Sequence, residues 1–189
     1  ISASGEIEIK SPGNMMGYYK EPEMTAACYT EDGYFKTGDR GEYSSDGLLR
    51  ITGRVKELFK TSKGKYVAPV VIENLLNADA LVELCCVSGP GRAACYATLQ
   101  LAEDLRPKIG DPAFRREMTP RLEALLQNVN SQVESYEQLQ FLAVVKDEWQ
   151  VSSEFLTPTL KIRRNVIEAA YEPLLDDWYA SGQKVVWQD

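Results

Sequence analysis

The 189-residue sequence contains no histidine and few cysteines. The lack of histidine excludes histidine-ligated metal sites and every Ser-His or Cys-His nucleophile pair within these residues. None of the four cysteines forms a C-x-x-C pair, and we expect buried, reduced thiols at Cys28, Cys85, Cys86 and Cys95. Reduced thiols are typical of a cytoplasmic protein.

Positive charge and long apolar runs are also scarce. A formal net charge of −7 argues against a nucleic-acid-binding surface. No apolar run approaches the roughly 18 residues that span a bilayer. The 44% apolar and 26% charged residues are typical of a globular protein. The chain starts at Ile1 without an initiator Met, and we interpret it as a piece of a longer protein.

The first 53 or so residues show strand and turn patterns. Ile7 and Ile9 alternate with charged residues, as in a half-buried strand. Pro22 favours the start of a short helix. Residues 44–47, Ser-Ser-Asp-Gly, predict a hairpin turn between two further strands. This part therefore predicts a β layer.

From residue 55 onward the pattern predicts mixed structure. We expect strands over 55–61, 84–88, 94–101 and 141–145, and helices over 69–76, 114–129 and 167–178. Pro120 should weaken the first of the two longer helices, and Pro173 is expected to interrupt the second. The sequence thus predicts an α+β fold, with a small β subdomain over residues 1–55. A domain with helices packed on a short sheet is predicted over residues 56–189.

Two polar positions in the β layer suggest a binding site. Gly38 lets the chain bend sharply and project the Asp39 carboxylate, which can accept two hydrogen bonds from a vicinal diol. Arg54 follows across the predicted hairpin. The plain alternatives are an ordinary Asx-type turn and a solvated surface arginine.

Basic residues mark two later segments. Residues 60–66, Lys-Thr-Ser-Lys-Gly-Lys-Tyr, predict a hairpin tip that attracts phosphates, or else a solvated basic tip. Residues 157–161, Thr-Pro-Thr-Leu-Lys, place Lys161 before a helix, where its ammonium could stabilise negative charge as two anionic groups meet. The alternative is a solvated patch of Lys161, Arg163 and Arg164. Because the helix dipole disfavours cations at a helix start, these residues predict an anionic partner.

Three segments, in order and at similar spacing, resemble the adenylate-forming superfamily. They are residues 34–40, Tyr-Phe-Lys-Thr-Gly-Asp-Arg, residues 53–57, Gly-Arg-Val-Lys-Glu, and residues 156–164, Leu-Thr-Pro-Thr-Leu-Lys-Ile-Arg-Arg. Many members have a Gly directly before the late lysine, whereas this chain has Leu160. The Thr-Pro-Thr-Leu-Lys form, and Lys-Gly-Lys-Tyr-Val-Ala-Pro at 63–69, are similar to long-chain fatty acyl-CoA synthetases. The resemblance covers the last part of such an enzyme.

The resemblance implies a fatty acid–CoA ligase that uses ATP and Mg²⁺ to make acyl-AMP and then transfers the acyl group to coenzyme A. The implied roles are ribose binding for Asp39 and Arg54, a hinge at Lys56 and adenylation for Lys161. Coenzyme A would contact Gly64, Lys65 and Tyr66.

The resemblance also implies partners. These are the fatty acid, ATP, coenzyme A and the N-terminal domain of the same polypeptide, without nucleic acid. The metal ligands and phosphate loop would lie in that domain, so this chain alone is expected to be inactive. A cytoplasmic location follows, and peripheral membrane contact is compatible with it. Two alternatives stay open: a non-catalytic scaffold paralogue, and an acyl-AMP ligase that loads a carrier protein.

Overall fold

The computed structural model describes all residues, 1–189, as two compact units, Ile1–Leu58 and Phe59–Asp189. We call them unit 1 and unit 2. The division falls three residues after the predicted boundary between residues 55 and 56. No helix in either unit combines the length and apolar character needed to cross a bilayer.

Unit 1 is built on a three-stranded antiparallel sheet. Its strands are β1 (Glu6–Ile9), β2 (Phe35–Tyr43) and β3 (Leu49–Arg54), in the spatial order β1-β2-β3. The short helix α1 (Pro22–Ala27) starts at its proline, as expected for a residue that lacks an N–H. The β layer, the helix and the hairpin turn are therefore present as predicted.

The predicted strand over 55–61 is wrong in its first half. Val55–Glu57 form a single 3₁₀ turn, and the strand β4 contains only Phe59–Lys60. Phe59 is buried and has a strand partner in Val67, whereas the 3₁₀ turn lies at the end of unit 1. Apolar content alone cannot show where strand pairing begins, because pairing is decided by tertiary contacts.

Unit 2 contains a two-stranded and a four-stranded sheet. The hairpin β4–β5 pairs Phe59–Lys60 with Tyr66–Val67. The larger sheet has the order β6-β7-β8-β9, in which the first pair is antiparallel and the others are parallel. Its strands are β6 (Val82–Ser88), β7 (Cys95–Leu101), β8 (Leu139–Val144) and β9 (Val185–Trp187). The sequence patterns did not predict β9.

Three helices cover the two faces of the larger sheet. They are α2 (Pro69–Asn77), α3 (Pro112–Asn130) and α4 (Arg164–Ala180). Alternate strand residues point to opposite faces. Those on one face join a core with α2 and α3, and those on the other join a core with α4. The α+β class is confirmed, with helices on both faces of the sheet.

Pro120 and Pro173 lie inside α3 and α4, and neither helix ends there. Both prolines are exposed. A proline removes one helical hydrogen bond, and on the solvent side water can satisfy the carbonyl left without its donor. Pro120 therefore does not break α3, and the expected interruption of the last helix at Pro173 is wrong.

Candidate functional site

In unit 1, Asp39 and Arg54 lie opposite each other on β2 and β3. Arg54 Nη1 donates a hydrogen bond to Asp39 Oδ1 at 2.6 Å. This bond and the negative charge of Asp39 raise the pKa of Arg54. The two predicted residues are therefore neighbours, with the arginine more exposed than the carboxylate. Asp39 Oδ2 is left as an acceptor that a ligand hydroxyl could use.

Gly38 places Asp39 by a strand irregularity rather than by the predicted turn. It lies within β2 at φ +75°, where the register between β1 and β2 shifts. No atom would touch a Cβ at this position, so the glycine is needed for its backbone conformation. Thr37 Oγ1 accepts the Asp39 N–H at 3.0 Å and donates to the carbonyl of Ile7 at 2.7 Å. The bulged segment is thus held on β1.

Lys56 is the middle residue of the 3₁₀ turn Val55–Glu57, and its side chain is exposed. It lies two residues before the end of unit 1 at Leu58. A single helical turn near the end of a compact unit contains few bonds that would resist a change of backbone dihedrals. The position is therefore compatible with the predicted hinge.

In unit 2, Gly64 and Lys65 lie in the turn of the β4–β5 hairpin, and Tyr66 is the first residue of β5. Gly64 has φ +78° and donates its N–H to the carbonyl of Thr61 at 2.9 Å. The backbone N–H of Ser62 also donates to the carbonyl of Arg92 at 2.9 Å, which holds the hairpin on a neighbouring turn. The tip is therefore ordered while its side chains remain in solvent.

Two lysines of this hairpin, Lys60 and Lys65, stand over aromatic rings. Lys60 Nζ lies 5.5 Å from the centre of the Tyr66 ring, and Lys65 Nζ lies 5.6 Å from that of Tyr136. Such cation–π contacts orient an ammonium without neutralising its charge. The tip therefore presents fixed positive charge, which suits phosphate groups.

Lys161 lies on a second tight loop of unit 2. Leu156 and Ile162 form an antiparallel bridge. Between them the Thr157 N–H donates to the carbonyl of Lys161 at 2.8 Å, and the Lys161 N–H donates to Thr157 Oγ1 at 3.1 Å. The Lys161 side chain is exposed and its ammonium has no partner within the chain. A fixed backbone therefore carries a cation that is open to an anionic ligand.

Leu160, next to Lys161, adopts a left-handed backbone with φ +61°. A residue with a Cβ pays about 1–2 kcal/mol in this region, which glycine adopts readily. The leucine side chain is 68% exposed, so little packing offsets the strain. The position of Leu160 is the one where many members of the superfamily resembled above have glycine.

We expect Leu160→Gly to leave the free energy of unfolding unchanged or to raise it by up to about 1 kcal/mol. Relief of the backbone strain should balance or exceed the greater conformational entropy of glycine in the unfolded chain. The control Leu160→Ala keeps the strain, so the glycine variant should be the more stable of the two. All three tryptophans (Trp149, Trp178 and Trp187) lie in unit 2, and their fluorescence during denaturant unfolding measures this. A more stable alanine variant would contradict the left-handed conformation.

The cysteines follow the prediction in three of four positions. All are free, and Cys85, Cys86 and Cys95 are buried, whereas Cys28 is half-buried. Burial raises the pKa of Cys86 and of Cys95 to about 12. No group of three His, Cys, Asp or Glu side chains could hold a metal ion.

The sequence patterns missed one buried polar cluster. Arg164, the first residue of α4, forms an ion pair with Glu73 of α2 at 2.7 Å. Glu73 therefore supplies an anion for one of the three basic residues at the helix start, and the predicted anionic partner of Lys161 stays a prediction. Arg163 has a longer ion pair, 3.7 Å, with Glu154.

The chain is similar to several known proteins. The chain is 29% identical over 179 residues to the long-chain-fatty-acid–CoA ligase FadD15 of Mycobacterium tuberculosis, covering 88% of this chain and 30% of the relative. The adenylation domain of a carboxylate reductase from Mycobacterium chelonae is 29% identical with a TM-score of 0.79, over 93% of this chain and 28% of that one.

A third match is the A-PCP didomain of a carboxylic acid reductase from Segniliparus rugosus, in complex with AMP. It is 28% identical with a TM-score of 0.77, over 94% of this chain and 25% of that one. The chain spans about a third of the length of the curated relatives it matches. The model of the AMP-binding enzyme C-terminal domain matches residues 57–183, and the chain therefore belongs to this family, within the adenylate-forming superfamily.

Proposed function

We propose that this chain is the C-terminal part of a fatty-acid–CoA ligase. The complete enzyme would join a long-chain fatty acid to ATP, giving acyl-AMP and pyrophosphate, and would then transfer the acyl group to coenzyme A. The observation that carries the proposal is the match to a long-chain-fatty-acid–CoA ligase over 88% of the chain, which is more than either unit alone. Residues 1–55 would end the large domain, and residues 56–189 would form the mobile domain.

The geometry of unit 1 supports nucleotide binding. Asp39 would accept hydrogen bonds from the two ribose hydroxyls, for which Oδ2 is available. Arg54 would hold this carboxylate in place through its hydrogen bond, so that the free oxygen stays turned towards the ligand site.

The geometry of unit 2 supports one role for each loop. Lys161 would approach the fatty-acid carboxylate and the α-phosphate, and would stabilise the negative charge that builds up as they react. The hairpin tip with Gly64, Lys65 and Tyr66 would guide coenzyme A, whose phosphates suit its lysines. Mg²⁺ would assist ATP, and its protein ligands would lie in the large domain.

The direct test uses the complete enzyme that contains this chain. Release of AMP should require ATP, coenzyme A and a fatty acid together, and palmitate should support it better than acetate or butyrate. The isolated 189-residue chain is the negative control. AMP release that needs no fatty acid would contradict the proposal, and equal use of acetate and palmitate would contradict the long-chain preference.

A second candidate acceptor is a carrier protein instead of coenzyme A. It is favoured by the structural likeness to carboxylic acid reductase adenylation domains, one of them solved as an A-PCP didomain. Competition between coenzyme A and a phosphopantetheinylated carrier protein for the same acyl-AMP would separate the two acceptors. A scaffold paralogue would form no acyl-AMP with either.

Lys56→Pro in the complete enzyme should lower thioester formation by at least about tenfold more than adenylation. Proline fixes φ near −65° and disfavours helical dihedrals at the preceding Val55, so the pivot can no longer turn freely. Each half-reaction is timed separately, with synthetic acyl-AMP supplied for the second. Lys56→Ala, which keeps the backbone mobile, is the matched control. If the proline variant loses both half-reactions equally, Lys56 is not the pivot.

A further inference from the structure

Glu73 and Arg164 form a bidentate ion pair inside unit 2. Arg164 Nη1 donates to Glu73 Oε1 at 2.7 Å, and Nη2 donates to Oε2 at 3.1 Å. The Arg164 side chain is only 15% exposed, and the Glu73 side chain only 8%. Although 91 positions separate them in sequence, they join α2 to the first residue of α4. We call this pair the Glu73–Arg164 joint.

The joint also forms hydrogen bonds with the open edge of the larger sheet. Strand β6 is an outer strand, and the Val87 N–H and C=O point away from its neighbour β7. The N–H donates to Glu73 Oε1 at 2.8 Å, and the C=O accepts from Arg164 Nη1 at 2.7 Å. The two side chains therefore satisfy the backbone groups that a further strand would otherwise bond.

The start of α4 is held by side-chain contacts to β6 and α2 rather than by a helix cap. Arg163, the residue before the helix, makes no capping hydrogen bond with its side chain. One turn into the helix, Glu168 Oε1 accepts a hydrogen bond from Ser88 Oγ of β6 at 2.5 Å. Both contacts attach the first turns of α4 to the end of β6, and the joint holds the first residue itself.

Lys161 lies only three residues before Arg164. The intervening backbone is constrained, because the Arg163 N–H donates to the carbonyl of Phe155 at 2.8 Å and Ile162 bridges to Leu156. Little freedom remains between the joint and the Lys161 backbone. A shift of Arg164 would therefore move the lysine with it.

A buried ion pair often stabilises a fold less than apolar residues of similar size would. Its best-attested use is to fix one arrangement of the elements that it joins. We propose that the Glu73–Arg164 joint is the positioning device of Lys161, which sets the place of its ammonium during adenylation. This inference rests on the proposed function. Glu73 and Arg164 are positioning residues, since they act through Lys161 and touch no substrate.

Conservative variants test the joint in the complete enzyme. Glu73→Gln keeps an acceptor for the Val87 N–H but removes the negative charge. Arg164→Lys keeps the positive charge but cannot form the bidentate interaction with Glu73. We expect each to lower the adenylation kcat about 10–100-fold, as for a small misplacement of a reacting group. The KM for ATP and the conversion of supplied acyl-AMP should stay within about threefold. Arg163→Lys, next to the joint, is the matched control and should adenylate normally.

A double-mutant cycle decides whether the joint acts through Lys161. Adding Glu73→Gln to Lys161→Ala should lower adenylation no further than Lys161→Ala alone, because the group being positioned is already gone. Unfolding followed by tryptophan fluorescence shows that each variant is folded. Additive losses, equal losses in both half-reactions, or normal adenylation by folded joint variants would each overturn the inference. If the wild-type enzyme forms no acyl-AMP, the proposed function itself fails, and there is no adenylation step for the joint to support.

Discussion

Lys161→Ala in the complete enzyme is expected to slow adenylation by about 10²–10³-fold, the usual effect of losing one preorganised partner of a developing charge. That corresponds to about 3–4 kcal/mol of transition-state stabilisation. The ammonium is exposed and has no partner within the chain, so its loss removes no contact that stabilises the fold. Pyrophosphate release in the presence of fatty acid and ATP measures the effect.

The same variant should convert supplied acyl-AMP to acyl-CoA within about tenfold of wild type, since the lysine is needed only while the carboxylate and α-phosphate meet. Lys146→Ala removes an exposed lysine outside residues 34–40, 53–57 and 156–164 and serves as the control for loss of charge. If Lys161→Ala adenylates normally, or loses thioester formation just as severely, the assigned role is wrong. The solvated basic patch then becomes the better interpretation.

Phe141→Ala is expected to lower the free energy of unfolding of unit 2 by about 3–5 kcal/mol. Phe141 of β8 is fully buried in the core beneath α4. Its ring centre lies 5.6 Å from Tyr96, 5.0 Å from Tyr179 and 6.4 Å from Trp178. Alanine would leave a cavity among rigid rings that cannot close around it.

Denaturant unfolding followed by tryptophan fluorescence tests this, because Trp178 packs on the ring. Phe141→Leu keeps much of the apolar volume and should lose less than half as much stability. A loss below about 1 kcal/mol for the alanine variant would mean that the ring is not enclosed as described. The outcome also concerns function, because the same core supports α4 and the loop before it.

The strands and helices of unit 2 were predictable where the periodic pattern of apolar residues extends over enough positions. The apolar residues of α3 recur every three or four positions, and Pro69 and Pro112 each lie at the start of a helix. Strand β9 was missed because Val185–Trp187 is too short to show a period. Its strand character comes from pairing with β8, which is a tertiary contact.

The candidate site was predictable only as separate segments. The hairpin signal indicated that Arg54 follows Asp39 across a hairpin, and the structure shows the two side chains paired. Their role, and those of Lys56, Gly64 and Lys161, remain predictions. The Glu73–Arg164 joint could not be derived in full, because helix-dipole reasoning indicates that a cation needs an anion but not which distant carboxylate supplies it.

The cysteines and tryptophans of this chain are distributed so that native residues could report domain movement. Buried thiols with raised pKa values, such as Cys85, Cys86 and Cys95, supply little thiolate for maleimide labelling, which leaves Cys28 in unit 1 as the accessible target. The three tryptophans all lie in unit 2. A dye on Cys28 would therefore accept energy from donors in the other unit. Transfer efficiency could follow a change of orientation without any engineered residue.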